Sequence, residues 1–163
     1  MLTAAVITVS DSGYEGKRKD ESGGVCASVL SDNGFDVVER LLLPDDSEAL
    51  KAAFVRFSDE GVNLVVTTGG TGFSPRDVTP EATLAVAERN VPGVAEAMRF
   101  NSMQYTPRAM LGRGVCVIRK KTVIVNLPGS PKACAENLEF AVRPLIHGVN
   151  ILCGNDGECA RHD

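Results

Sequence analysis

The chain has few histidines and lacks a common nucleotide-binding signature. Only two of its 163 residues are histidine, His147 and His162. No set of serine, histidine and acid stands out around them, so hydrolysis by a catalytic triad is disfavoured. A glycine-rich stretch is present, but no Gly-Lys-Ser or Gly-Lys-Thr sequence accompanies it, which disfavours a Walker-type NTPase.

The sequence also lacks long runs of like charge or of apolar residues. Its net charge is −4 without a basic tract, which argues against broad nucleic-acid binding. No apolar stretch approaches the ~20 residues of a membrane span, and no basic signal-peptide region precedes the first strand. Cys26, Cys116 and Cys134 have apolar neighbours and are predicted core residues. We expect a cytoplasmic protein that binds neither nucleic acid nor membrane.

What the sequence does contain is a regular alternation of short apolar strands with helical patterns. Residues 1–153 are predicted to form one domain, followed by a polar tail at 154–163. The alternation predicts a three-layer α/β/α sandwich with a mostly parallel central sheet and one local antiparallel strand pair. The predicted strands cover 4–9, 36–43, 64–67, 115–118 and 122–126, and the predicted helices cover 25–30, 48–59, 82–88, 94–103, 133–142 and 143–152.

Polar and small residues follow four of the predicted strands. Ser10 and Asp11 follow the first strand, Asp45 follows the second, 69–77 follows the third and 128–132 follows the last. In folds of this kind, ligands bind beyond the carboxyl ends of the parallel strands. The agreement of four loops predicts a binding site at that edge more strongly than any single motif does.

The glycine-rich loop after the third strand is the most informative of the four. Gly69, Gly70, Thr71 and Gly72 let the backbone approach an anion closely. Arg76 lies in the same loop and is a candidate phosphate contact. The alternative is a tight turn that serves chain geometry alone, because short glycine motifs are weak evidence by themselves.

Two carboxylates in these loops are candidates for chemistry. Thr79 is predicted to be the N-cap of the following helix, with Pro80 at its first position, which frees Asp77 for another role. Asp45 follows Pro44, and it either begins an Asx turn or faces a ligand. Mg²⁺ held against nucleotide phosphates typically takes one or two carboxylates, so Asp45 and Asp77 are candidate Mg²⁺ ligands.

Three other polar segments have two interpretations each. The loop 128–132 is either a strand-to-helix turn or an anion site. The Lys-Arg-Lys run at 17–19 is either a solvated charge run or a flap over an anionic ligand. Cys153, Cys159 and His162 invite a metal-binding interpretation, but their spacing fits no standard zinc pattern, so we disfavour it.

The residues of these loops resemble the MogA/MoaB family of molybdenum-cofactor biosynthesis. The resemblance covers about residues 3 to 152, and the combination of segments is highly specific. Val91-Pro92-Gly93, with Glu96, Met98 and Arg99, resembles the central segment of the family. The other segments are Thr8-Val9-Ser10-Asp11, Asp20-Glu21-Ser22-Gly23, 67–71, Arg76-Asp77-Val78-Thr79-Pro80-Glu81-Ala82-Thr83 and Leu127-Pro128-Gly129-Ser130-Pro131.

The resemblance implies a three-layer α/β/α protein, usually a homotrimer, that binds molybdopterin, a pterin with a dithiolene and a terminal phosphate. For MogA-like members it implies that Mg-ATP and molybdopterin give adenylyl-molybdopterin and pyrophosphate. That product then accepts molybdate or tungstate at an insertion enzyme. By the same resemblance, Asp45 and Asp77 are the essential acids. The residues of the loops and the resemblance together predict a binding set of Ser10, Asp11, Gly69, Gly70, Thr71, Gly72, Arg76, Pro128, Gly129, Ser130 and Lys132, in which Arg76 and Lys132 come from the chemistry of the loops.

The motifs do not separate the branches of this family. MoaB-like members share them, so a non-catalytic molybdopterin-binding or carrier protein is the first alternative. A domain related to pyridine-nucleotide hydrolases is the second, and the segment 76–83 disfavours it because it fits the molybdopterin branch better. A purely structural oligomerisation module is the third alternative.

Overall fold

The computed structural model describes residues 1–155, which form a six-stranded sheet between two layers of helices. The strands lie in the order β2-β1-β3-β6-β5-β4. They are β1 (Leu2–Val9), β2 (Phe35–Leu43), β3 (Leu64–Thr68), β4 (Arg89–Asn90), β5 (Cys116–Arg119) and β6 (Thr122–Leu127). The helices are α1 (Asp11–Tyr14), α2 (Ser22–Asp32), α3 (Ser47–Asp59), α4 (Thr79–Ala85), α5 (Pro92–Ser102) and α6 (Pro131–Cys153), with a 3₁₀ helix at Pro107–Leu111.

The direction of the strands confirms the predicted fold class. β2, β1, β3 and β6 are parallel, whereas β5 and β4 are antiparallel to their neighbours. The predicted hairpin joins β5 to β6, and Lys120 in its turn has a φ of 52°. Because β1, β2, β3 and β6 run the same way, their carboxyl ends meet at one edge of the sheet.

The sheet is covered on both faces, and β1 shows how. Ala4 and Val6 pack into a cluster with α2, α5 and α6, while Ala5 and Ile7 pack into a second cluster with α3 and α4. Successive strand residues point to opposite faces, so a strand between two layers is apolar at every position. The predicted core cysteines are confirmed as buried: Cys26, Cys116 and Cys134.

One long helix replaces two predicted segments near the end of the described chain. The sequence divides 133–142 from 143–152, but α6 runs unbroken from Pro131 to Cys153. Pro144 lies inside it and is exposed. A helical proline leaves the carbonyl four residues earlier without its N–H partner, and here that residue, Phe140, is partly exposed at 46%. Water can therefore bond the carbonyl, and the helix continues.

The C-terminal residues lie largely outside the described part. Of the predicted tail, only Gly154 and Asn155 are described, so Cys159 and His162 lie beyond it. Cys153 accepts a hydrogen bond from Asn63 Nδ2 at 3.4 Å. Among residues 1–155, no helix is both long enough and apolar enough to cross a membrane.

Candidate active site

Four loops at the carboxyl edge of the sheet surround one open cleft of about 700 Å³. They follow β1, β2, β3 and β6, as the sequence predicts. The structure thus brings together most of the predicted site residues. Those that line the cleft are Ser10, Asp11, Asp45, Gly69, Gly70, Arg76, Asp77, Gly129 and Ser130.

Two aspartates tie the first two loops to each other. The Asp11 amide donates to Asp45 Oδ2 at 3.1 Å, and the Asp45 amide donates to Asp11 Oδ1 at 3.0 Å. The adjacent Asp46 caps α3 by accepting from the Ala49 amide at 2.7 Å. The local turn therefore belongs to Asp46, and the Asp45 carboxylate faces the cleft.

Arg76 reaches across from the glycine loop to Asp11. Its Nε and one terminal nitrogen donate to the two Asp11 carboxylate oxygens, each at 3.0 Å. This hydrogen-bonded guanidinium lowers the pKa of Asp11, and the Asp45 backbone bond lowers it further. The Arg76 side chain is 65% exposed, so the ion pair itself contributes little stability. Its importance is the placement of a cation at the rim of the cleft.

Asp45 sits in a less favourable environment for a negative charge. Burial is the main reason that its pKa is raised, and the nearby charges of Asp11 and Asp77 raise it further, against the backbone bond from Asp11 and the Arg76 charge. Three carboxylates within electrostatic range concentrate negative charge at this point. A bound cation would offset that repulsion.

The glycines of the loop admit these side chains. A Cβ on Gly72 would lie 2.9 Å from Asp77 Oδ2, and a Cβ on Gly70 would lie 3.0 Å from Asp45 Oδ1. Asp77 Oδ2 also accepts from the Ser74 amide at 3.0 Å. Gly70 has a φ of +66°, which glycine adopts readily. The loop is therefore shaped around the two carboxylates rather than being an isolated tight turn.

The predicted N-cap role of Thr79 is wrong. Thr79 is the first residue of α4, the preceding residue Val78 is the N-cap, and no side chain caps this helix. The Thr79 amide donates to the Gly70 carbonyl at 3.1 Å. This bond holds Thr79 against the glycine loop. Its hydroxyl is buried there without a hydrogen-bond partner within residues 1–155.

Four residues of the predicted binding set lie outside the wall of this cleft. Thr71 and Pro128 line a second cavity of about 240 Å³, which is enclosed mainly by α5, the 3₁₀ helix and α6. Gly72 lines neither cavity and serves the approach of Asp77. Lys132 is exposed, and its Nζ lies 3.9 Å from Glu136 Oε1.

Several cleft residues are missing from the predicted binding set. Arg18 and Lys19 line the cleft, which favours the flap interpretation of the basic run. Asp20 lines it too, and its carboxylate accepts from Thr8 Oγ1 at 3.0 Å and from the Gly23 amide at 2.8 Å. The signal for Asp20 was present in the family segment 20–23, although its sequence context alone resembles a loop.

Arg113 holds the glycine loop through hydrogen bonds to its carbonyls, and it too is missing from the predicted set. Its amide donates to the Thr71 carbonyl at 3.0 Å, Nε donates to the Gly72 carbonyl at 2.7 Å, and a terminal nitrogen donates to the Asp77 carbonyl at 2.9 Å. The guanidinium also pairs with Glu81, whose pKa it lowers. One side chain thus joins both ends of the loop to α4.

Replacement of Arg113 by alanine is expected to lower the free energy of unfolding by about 1–3 kcal/mol, because two loop carbonyls lose a charged donor. The free energy of unfolding of Arg113→Lys should lie between those of the parent and Arg113→Ala, since an ammonium cannot reproduce the planar fork of the guanidinium. Urea unfolding measures the effect. Arg108→Ala, an exposed arginine on the 3₁₀ helix, is the control; equal stability of the two alanine variants would contradict the assignment.

The donors in the cleft suit a hard cation. Within the described residues, no group of three or more His, Cys, Asp or Glu side chains could hold a metal ion. Asp45 and Asp77 nevertheless place carboxylate oxygens against the glycine loop, Asp45 Oδ1 beside Gly70 and Asp77 Oδ2 beside Gly72. Oxygen donors in small number, with room for phosphate, fit Mg²⁺.

The fold and the site together define an α/β protein with an open cleft, lined by a glycine loop and charged side chains, at the carboxyl edge of a mostly parallel sheet. The model of the family described as "Probable molybdopterin binding domain" matches residues 5–148. The chain therefore belongs to this family, as its resemblance to MogA and MoaB proteins predicts.

Individual relatives agree with this membership. The chain is 43% identical over 142 residues to the molybdopterin adenylyltransferase of Haemophilus influenzae, covering 85% of this chain and 72% of that protein. It is 41% identical over 156 residues to the enzyme of the same name from Escherichia coli K12, covering 91% and 80%. The crystal structure of the molybdopterin biosynthesis enzyme MoaB from Thermus thermophilus superposes with a TM-score of 0.90 at 42% identity, covering 94% and 98%.

Proposed function

We propose that this protein is a molybdopterin adenylyltransferase of molybdenum-cofactor biosynthesis. The observation that carries the proposal is the meeting of Asp45, Asp77 and the glycine loop in one cleft. Relatives that are 38–43% identical over most of the chain bear this enzyme name. The substrates are then molybdopterin and ATP.

In the proposed reaction, an oxygen of the molybdopterin phosphate attacks the α-phosphorus of ATP. A phosphorus–oxygen bond forms there, the bond to the bridging oxygen of the β-phosphate breaks, and pyrophosphate leaves. Both reactants are anions, so positioning and charge neutralisation dominate the barrier. The nucleophile is already ionised at neutral pH, and a chain with two histidines needs no strong general base.

The residues of the cleft divide this work. The loop of Gly69 and Gly70 lets the backbone approach the phosphates, and Arg76 at the rim contributes a positive charge. Asp45 and Asp77 would hold Mg²⁺, which supplies neutralisation of the phosphate charge when bound. Four other cleft residues form walls for the pterin or the adenylate: Ser10, Asp11, Gly129 and Ser130.

The test is to incubate the purified protein anaerobically with molybdopterin and ATP labelled at the α-phosphate. We expect the label to appear on molybdopterin as the adenylyl product, and we expect chelation of Mg²⁺ to prevent it. Tight molybdopterin binding without any labelled product would instead support the carrier function of the MoaB type.

Replacement of Arg76 by methionine is expected to weaken Mg-ATP binding about tenfold while leaving stability within about 1 kcal/mol, because the ion pair with Asp11 is exposed. Calorimetric titration and urea unfolding measure the two effects. Arg56→Met removes another exposed ion pair, with Glu39 on the β2–α3 face, and should leave binding unchanged. Equal affinity of the Arg76 variant and the parent would remove the phosphate role from Arg76.

The proposal also includes a homotrimer, a cytoplasmic location and delivery of the product to a molybdenum-insertion enzyme. Support for association comes from apolar side chains exposed along the chain from α5 to the 3₁₀ helix. Light scattering should give the mass of three chains. The exposed side chains are Phe100, Met103, Tyr105, Met110 and Leu111.

A further inference from the structure

The hydroxyl of Thr79 is buried beneath the glycine loop without a partner. Thr79 is 0% exposed, and its Oγ1 makes no hydrogen bond within residues 1–155. Such a group costs stability, because folding removes its bonds to water without replacing them. In the described part of the chain, the one other buried side-chain nitrogen or oxygen in this situation is Arg119 Nε, on the β5–β6 hairpin.

Thr79 Oγ1 and Asp45 Oδ1 flank the same small space beside Gly70, the space that a Cβ on this glycine would occupy. A Cβ on Gly70 would lie 2.3 Å from Thr79 Oγ1 and 3.0 Å from Asp45 Oδ1. The other carboxylate oxygen, Asp45 Oδ2, accepts from the Asp11 amide. Oδ1 is therefore the oxygen that a small movement of Asp45 would bring to the Thr79 hydroxyl.

We infer that Thr79 is a positioning residue for Asp45: its hydroxyl donates to Asp45 Oδ1 when Mg-ATP occupies the cleft. This inference rests on the proposed function, in which Asp45 faces the nucleotide. The bond holds the carboxylate against the glycine loop in the loaded protein. The unpaired hydroxyl thus lowers the stability of the free protein and gains its partner on binding.

The inference predicts opposite effects of Thr79→Val on stability and on affinity. Valine keeps the shape but removes the hydroxyl, so the melting temperature of the nucleotide-free protein should rise by about 3 °C. Mg-ATP binding should weaken about tenfold. Thr79→Ser keeps the hydroxyl, so its affinity should stay within about threefold of the parent.

Thr83 supplies a matched control one turn further along the chain. It is also fully buried, but its Oγ1 donates to the Thr79 carbonyl at 2.8 Å and accepts from Asn126 Nδ2 at 3.0 Å. Thr83→Val should therefore lower the melting temperature. A comparable drop for Thr79→Val would contradict the inference, because it would mean that the Thr79 hydroxyl is already bonded in the free protein.

The experiment measures melting temperatures and calorimetric Mg-ATP affinities. The proteins compared are the parent, Thr79→Val, Thr79→Ser, Thr83→Val, Asp45→Asn, and the double variant that combines Asp45→Asn with Thr79→Val. In the Asp45→Asn background, Thr79→Val should cause no further loss of affinity if the hydroxyl acts through that carboxylate. An unchanged affinity of Thr79→Val for Mg-ATP would overturn this inference but not the proposed function. So would a full additional loss of affinity when Thr79→Val is combined with Asp45→Asn. Absence of Mg-ATP binding by the parent would overturn the proposed function as well.

Discussion

Replacement of Asp45 by asparagine is expected to reduce adenylyl transfer about a hundredfold or more, while the fold persists. The variant keeps the shape of the side chain, and its amide oxygen can still accept from the Asp11 amide. What it loses is the negative charge that faces the glycine loop. Initial rates with saturating molybdopterin and Mg-ATP measure the effect.

The same variant should not be less stable at neutral pH. Burial and the neighbouring Asp11 and Asp77 raise the pKa of Asp45, so this carboxyl binds its proton more tightly in the folded protein than in the unfolded chain. The contribution of Asp45 to the free energy of unfolding is therefore fully present below its ordinary pKa of 3.8. It is lost as pH rises through the raised pKa of the folded protein. Asp45→Asn avoids that loss, and its advantage in urea unfolding should disappear near pH 3.

Asp46→Asn is the matched control for activity. Asp46 is the next residue, but its carboxylate caps α3, and asparagine caps helices about as well. We expect nearly unchanged rates for it. Equal losses in the two variants, or full activity of Asp45→Asn, would contradict the role given to Asp45.

Replacement of Gly69 by alanine is expected to destabilise the protein by about 3 kcal/mol or more and to abolish binding in the cleft. Gly69 has a φ of +100°, and an added Cβ would lie 2.3 Å from the Val9 carbonyl oxygen. That oxygen belongs to the backbone of β1, so it cannot turn aside as a flexible side chain could. The loop must shift away from the strand end that forms the cleft.

Gly34→Ala separates conformational strain from the clash. Gly34 has a φ of +85°, but an added Cβ there meets nothing within 4 Å. It should cost only the strain of a left-handed residue, about 1–2 kcal/mol. Urea unfolding of both variants gives the comparison; a Gly69→Ala variant no less stable than Gly34→Ala would mean that the loop tolerates a side chain.

The sequence predicts the edge of the sheet at which the site lies, because that inference depends on strand order along the chain. Small or acidic residues follow four strands, and parallel strands place these loops together. The prediction required no side-chain geometry. Ser10, Asp45 and Gly129 follow three different strands and line one cleft for this reason.

The parts that could not be predicted depend on contacts between distant segments. Thr79 has the local signature of an N-cap, but its amide bonds Gly70 in the preceding loop, which overrides that preference. Arg113 holds the loop from more than thirty residues away. Nothing near Arg113 in the sequence distinguishes it from a surface arginine.

The direction of individual side chains was equally beyond the sequence. Thr71 and Pro128 neighbour cleft residues along the chain, yet they line the second cavity instead. Lys132 lies in the first turn of α6 and points to solvent. The sequence can therefore predict the edge at which a loop lies without predicting which cavity each of its residues lines.

Pyrophosphate release from Mg-ATP in the presence of molybdopterin tests the central claim most directly. We predict release by the parent protein and its loss in Asp77→Ala, with circular dichroism showing the variant to be folded. Tight molybdopterin binding by the parent without pyrophosphate above background would contradict the claim. It would remove the catalytic role from Asp45 and Asp77 and favour a binding protein.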